Sequence, residues 1–104
     1  MAQDSCSTLE PYALQVLGDS MEPEFADGCV IIVDPGYAPR DGSYVVVEFA
    51  GDVFFRQLIF EGERRFLKPL NPKYGAFELT APYTIRGGVV QQAGMRRSQR
   101  KHYG

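Results

Sequence analysis

Apolar residues come in short stretches broken by glycine, proline, asparagine and aspartate, and none keeps the three-to-four residue spacing of a long helix. Residues 12–17 predict a strand that runs into Gly18, and residues 29–33, bounded by Gly28 and Asp34-Pro35-Gly36, predict a second. Between them, the polar stretch 19–28 leaves space for one helical turn, around residues 22–25. Residues 44–49 and 53–58 flank Ala50-Gly51-Asp52 and predict a hairpin, with the glycine supplying the unusual backbone angles. Residues 64–67 are expected to pair back before an irregular turn at Pro69-Leu70-Asn71-Pro72. Short strands follow at 77–79 and 83–85, and Gly87-Gly88 is expected to separate a last one at 89–92. Many short strands and frequent turns predict a mostly β fold, with bent sheets or a partial barrel. Its interior is expected to be filled by Phe54, Phe55, Phe60, Phe66 and Phe77.

Length changes this picture little, because 104 residues suit one core. The expected organisation is a loose end at 1–10, a domain at 11–93 and a basic tail at 94–104. Arg96, Arg97, Arg100 and Lys101 are four of the eleven basic residues, which leaves seven against thirteen acidic ones elsewhere. Such a tail offers nucleic acid only a weak foothold, since it has clustered cations for phosphate contacts but no folded reading element. Apolar runs fall far short of the roughly 20 residues of a bilayer span, and the N-terminus has no basic opening followed by an apolar stretch. The chain is therefore expected in the cytoplasm. Cys29 lies in an apolar run and is expected to be buried, whereas Cys6 is expected to be an exposed thiol. With two cysteines at no metal-ligand spacing and a single histidine, His102, in the tail beyond the last strand, neither a metal nor another cofactor is expected.

The candidate chemistry sits at Gly18-Asp19-Ser20-Met21-Glu22-Pro23, a serine in a tight loop just after a strand. On spacing alone this is equally a turn serine or a helix cap, because a nucleophile also needs a base and donors for the oxyanion it forms. The wider pattern resembles the C-terminal domains of LexA, UmuD and phage repressors, and more distantly bacterial signal peptidases. Six features recur in that family's order: Gly18-Asp19-Ser20-Met21, Asp27-Gly28 before an apolar strand, Val33-Asp34-Pro35, Arg40-Asp41-Gly42 before the hairpin, Lys68-Pro69-Leu70-Asn71-Pro72, and Tyr83-Thr84-Ile85-Arg86-Gly87.

The resemblance implies a serine/lysine dyad, with Ser20 as nucleophile, a lysine on the second hairpin strand as base, and the backbone N–H groups of Asp19 and Ser20 as the oxyanion hole. The sequence departs from the pattern at the base. A gapless count from Arg40 puts Arg56 at the lysine's position, within Phe54-Phe55-Arg56-Gln57-Leu58. Arginine stays protonated in proteins and has no lone pair to take a proton. Three readings follow: a catalytically degenerate peptidase fold that binds peptide or its own copy, an active serine peptidase using a substitute base such as Lys68, and weak residual activity from the nucleophile and oxyanion hole alone.

The resemblance also implies a homodimer, for which the strand at 89–92 is expected to offer an edge. The family cuts itself upstream of the serine at Ala-Gly or Cys-Gly and carries a DNA-binding domain. Neither dipeptide occurs in the 19 residues before Ser20, which are too few for that domain, so a stand-alone unit is expected. Ala50-Gly51 and Ala93-Gly94 occur elsewhere and are not expected to be cut.

Overall fold

A computed structural model describes residues 10–93 and 101–103. Eight strands lie among them: β1 (Tyr12–Gln15), β2 (Val30–Asp34), β3 (Tyr44–Phe49), β4 (Asp52–Glu61), β5 (Arg64–Lys68), β6 (Phe77–Leu79), β7 (Tyr83–Ala93) and β8 (Lys101–His102). They form one antiparallel sheet in the order β1-β2-β7-β3-β4-β5-β6, with β8 also on β7. The described residues contain no helix, so the fold is mostly β, as the pattern predicts. The space around residues 22–25 holds a single turn closed by Phe25 N–H donating to the Met21 carbonyl at 2.9 Å. The expected exposure of Cys6 and the charges of Arg96, Arg97 and Arg100 lie outside the described residues.

Both faces of the sheet are covered, and β3 shows why its sequence is a continuous apolar run rather than an alternation. Val45 and Val47 pack with Leu58, Leu67 and Leu79 on one face. Val46 packs on the other with Val16, Met21, Phe25, Cys29, Ile31, Val33 and Val89. Of the five expected core phenylalanines, Phe54, Phe60 and Phe77 lean on the first cluster and Phe55 on the second. Phe66 joins neither and instead has the Arg64 guanidinium 5.1 Å from its ring centroid.

Four expectations need correction. The hairpin loop is two residues, not three: Phe49 pairs directly with Asp52, and both Ala50 (φ 55°) and Gly51 (φ 85°) take the left-handed angles that such a tight turn demands. Gly87-Gly88 does not divide two strands but lies inside β7. A Cβ on Gly87 would stand 2.8 Å from the Asp34 carbonyl oxygen, and one on Gly88 would stand 2.0 Å from the Tyr37 ring, so these glycines admit close neighbours. Nor does 89–92 form an edge, because β2 pairs with it on one side and β8 on the other. The chain end thus returns to the sheet at Lys101–His102, where His102 belongs to a strand rather than a tail beyond the last one. Tyr103 then packs against Phe25 and Tyr44, with ring centroids 5.2 and 5.3 Å away.

Candidate active-site cleft

The Ser20 loop is fixed from both flanks. Val16 N–H donates to the Cys29 carbonyl at 2.8 Å, and Gly28 N–H to the Val16 carbonyl at 2.7 Å, which carries the β1–β2 pairing up to the loop. Gly18 then turns the chain at φ 100°, an angle suited to glycine, and its N–H donates to Asp27 Oδ1 at 2.7 Å. Immediately after Ser20, Met21 is fully buried and anchors the loop's far side.

The stretch after β5 closes over the loop. Asn71 N–H donates to the Ser20 carbonyl and its Nδ2 to the Asp19 carbonyl, each at 2.9 Å. The Asp19 carboxylate accepts from the Tyr74 hydroxyl at 2.6 Å and from Lys73 Nζ at 3.3 Å. The Tyr74 hydrogen bond, followed by that of Lys73, holds the Asp19 carboxyl below its ordinary range, and the same contacts raise both partners. Asn71, Lys73 and Tyr74 were not singled out as site residues in the sequence. The signal available was an irregular Asn-Pro turn, which announces a loop but not what it touches.

Ser20 and Arg56 meet directly. Arg56 lies on β4 opposite Val45, and its Nη1 donates to Ser20 Oγ at 3.0 Å and to the Phe55 carbonyl at 2.8 Å. Its guanidinium carbon is 5.6 Å from the Phe54 ring centroid. Burial pulls its pKa below the usual arginine value, partly offset by Tyr74. Arg56 forms no ion pair among the described residues, and its Nε is buried with no hydrogen-bond partner. An unpaired buried donor of this kind costs about 1–3 kcal/mol, so its presence asks for an explanation.

Neither lysine of the stretch that closes over the loop stands as a base for Ser20. Lys68, paired with Gln57 at the end of β5, is exposed and makes no hydrogen bond to Ser20. Lys73 is tied to Asp19 and shifted towards its charged form. Around Ser20 the N–H groups of Asp19 and Ser20 donate to no described residue.

Ser20 and Arg56 line a cleft of about 280 Å³ whose apolar walls include Leu14, Leu17, Ile31, Val46, Val53 and Phe55. Three of these, Leu14, Leu17 and Val53, are among the six large hydrophobic side chains exposed in the described chain. A larger concavity of about 450 Å³ at the hairpin end, between residues 48–53 and 82–84, has no comparable convergence of polar groups.

A family profile described as Peptidase S24-like matches residues 3–90. The chain is 43% identical over 89 residues to an HTH-type transcriptional regulator for conjugative element SXT of Vibrio cholerae, covering 79% of this chain and 41% of that protein. It is 38% identical over 87 residues to Repressor protein C2 of Salmonella phage P22, covering 78% and 40%. Identity to LexA repressor 2 of Pseudomonas syringae pv. tomato is 38% over 64 residues, covering 61% and 32%. The chain spans about two fifths of the length of the first two of these relatives.

Proposed function

The chain belongs to the Peptidase S24-like family, and on that premise we propose that its Ser20 cleft holds peptide without cutting it. One observation carries this reading: the group beside Ser20 Oγ is the Arg56 guanidinium, 3.0 Å away and donating. A general base must accept the serine proton, and a guanidinium is already fully protonated. The same contact leaves the serine oxygen as an acceptor and its proton free to point into the cleft. Support for binding comes from the cleft itself, which has exposed apolar walls, and from β1, which among the described residues pairs only with β2. An extended peptide laid along β1 gains main-chain hydrogen bonds there while its side chains enter the cleft. The alternative, an active peptidase with Lys68 as base, is disfavoured by the exposure of Lys68, since a lysine gives up its proton near neutral pH only when it is buried among apolar neighbours.

A second copy of the chain is a further partner in this reading. With β7 interior, its contact would use an outer strand, β1, β6 or β8. No helix among the described residues is long and apolar enough to cross a membrane, and the cytoplasm is the compartment we propose.

Titration of isotope-labelled protein with short extended peptides tests the reading. The expected result is chemical-shift change at Leu14, Leu17, Ser20 and Val53 with the peptide intact by mass spectrometry. Ser20-dependent hydrolysis would contradict the non-cutting part, and absence of binding would contradict the rest.

A further inference from the structure

Two donors meet in the wall of the cleft without an acceptor between them. Ser20 Oγ receives a hydrogen bond from Arg56 Nη1, so the Ser20 proton remains to be given away, and no described residue takes it. Arg56 Nη2 likewise donates to no described residue, and Nε is buried without a partner. The cation itself has no carboxylate: Asp19, which lies next to Ser20 in sequence, is held by Tyr74 and Lys73 instead. A positive charge and a hydroxyl proton beside apolar walls are complementary to a ligand with an anionic, acceptor-only head and an apolar body.

An internal peptide bond does not meet that demand, because its carbonyl is neutral. A peptide terminus does. Resting on the peptide-binding reading above, we infer that the cleft captures a free peptide C-terminus, with the terminal carboxylate on Arg56 and Ser20 and an apolar last side chain between Leu17, Ile31, Val53 and Phe55. With Nη1 engaged by Ser20 and the Phe55 carbonyl and Nε buried, Nη2 is the guanidinium donor left to a carboxylate, and charge-assisted hydrogen bonds are the stronger kind. The backbone N–H groups of Asp19 and Ser20, which donate to no described residue, are the further donors this inference assigns to the second carboxylate oxygen. What would be an oxyanion hole in a cutting enzyme thus serves a stable anion.

The test uses N-acetylated pentapeptides ending in leucine, one with a free C-terminal acid and one with a carboxamide, titrated against the wild-type protein by calorimetry. The acid is expected to bind at least about tenfold tighter than the amide, a preference that weakens as salt is raised. A third peptide, amidated and with aspartate next to its leucine, should bind like the plain amide. Equal binding of acid and amide would overturn the terminus inference while leaving peptide binding intact, as would tight binding of the aspartate-containing amide. Failure of all three to bind would remove both. Arg56→Gln should reduce the acid preference to less than about twofold, with Ser20→Ala as a second variant expected to reduce it less. The comparison of acid with amide on wild-type protein decides the matter even if Arg56→Gln does not fold.

Discussion

The identity of one side chain sets the direction of proton donation at Ser20. A lysine buried among apolar neighbours loses its proton readily, whereas an arginine in the same place remains a donor even when burial lowers its pKa, as it does for Arg56. The contact between Arg56 and Ser20 was legible as proximity from a gapless count along the hairpin, because strand periodicity admits no one-residue slip without reversing every side chain. Asn71, Lys73 and Tyr74 were not, since their bonds to Asp19 and Ser20 bridge more than fifty positions and depend on how a loop folds back. Two other residues carry backbone predictions. Ala50 takes φ 55° in the hairpin turn, a conformation strained for alanine and tolerated by asparagine. Ala50→Asn is expected to raise unfolding free energy by about 0.5–1 kcal/mol in urea titration. Gly87→Ala is expected to lower it by about 1–3 kcal/mol, because the new Cβ meets the Asp34 backbone at 2.8 Å. Gly88→Ala is expected to lower it as well, because the new Cβ would stand 2.0 Å from the Tyr37 ring, whose hydroxyl is hydrogen-bonded to Ser43 and Arg40.

At the level of elements, most strands follow from alternation and turn chemistry, and residues 44–49 and 77–79 form strands with the bounds the pattern predicts. The return of the chain end does not follow. Lys101–His102 has no apolar period of its own and is a strand only because β7 has a free stretch at Gln91 and Gln92 and Tyr103 fits the core beyond. Tyr103 donates its hydroxyl proton to the Glu24 carboxylate and accepts from Gln92 Nε2 at 2.8 Å. Burial, then the Glu24 contact, pushes its pKa far above the ordinary value of 10.0. With the folded pKa above the unfolded one, the contribution of Tyr103 is fully present below pH 10.0 and is lost as pH rises beyond it. Wild-type stability should therefore fall above about pH 10 through this group. Tyr103→Phe is expected to be less stable by about 1 kcal/mol at neutral pH and to lack that part of the alkaline loss, as read by denaturant titration across pH.

For the molecule as a whole, one sheet with a buried cluster on each face holds the Ser20 loop between β1, β2 and the stretch after β5. The stretch around the loop is therefore part of the same core that stabilises the fold. The family and fold class were legible because six short motifs keep their order along the chain. What such a site does with peptide was not, because motif order is blind to the electrostatic difference between a neutral amine and a guanidinium. The most direct measurement is intact-mass analysis of wild-type protein after exposure to a fluorophosphonate from neutral to mildly alkaline pH, with Ser20→Ala alongside. The account predicts an unmodified mass for both proteins throughout that range; a wild-type adduct that grows with pH and is absent from Ser20→Ala would contradict it.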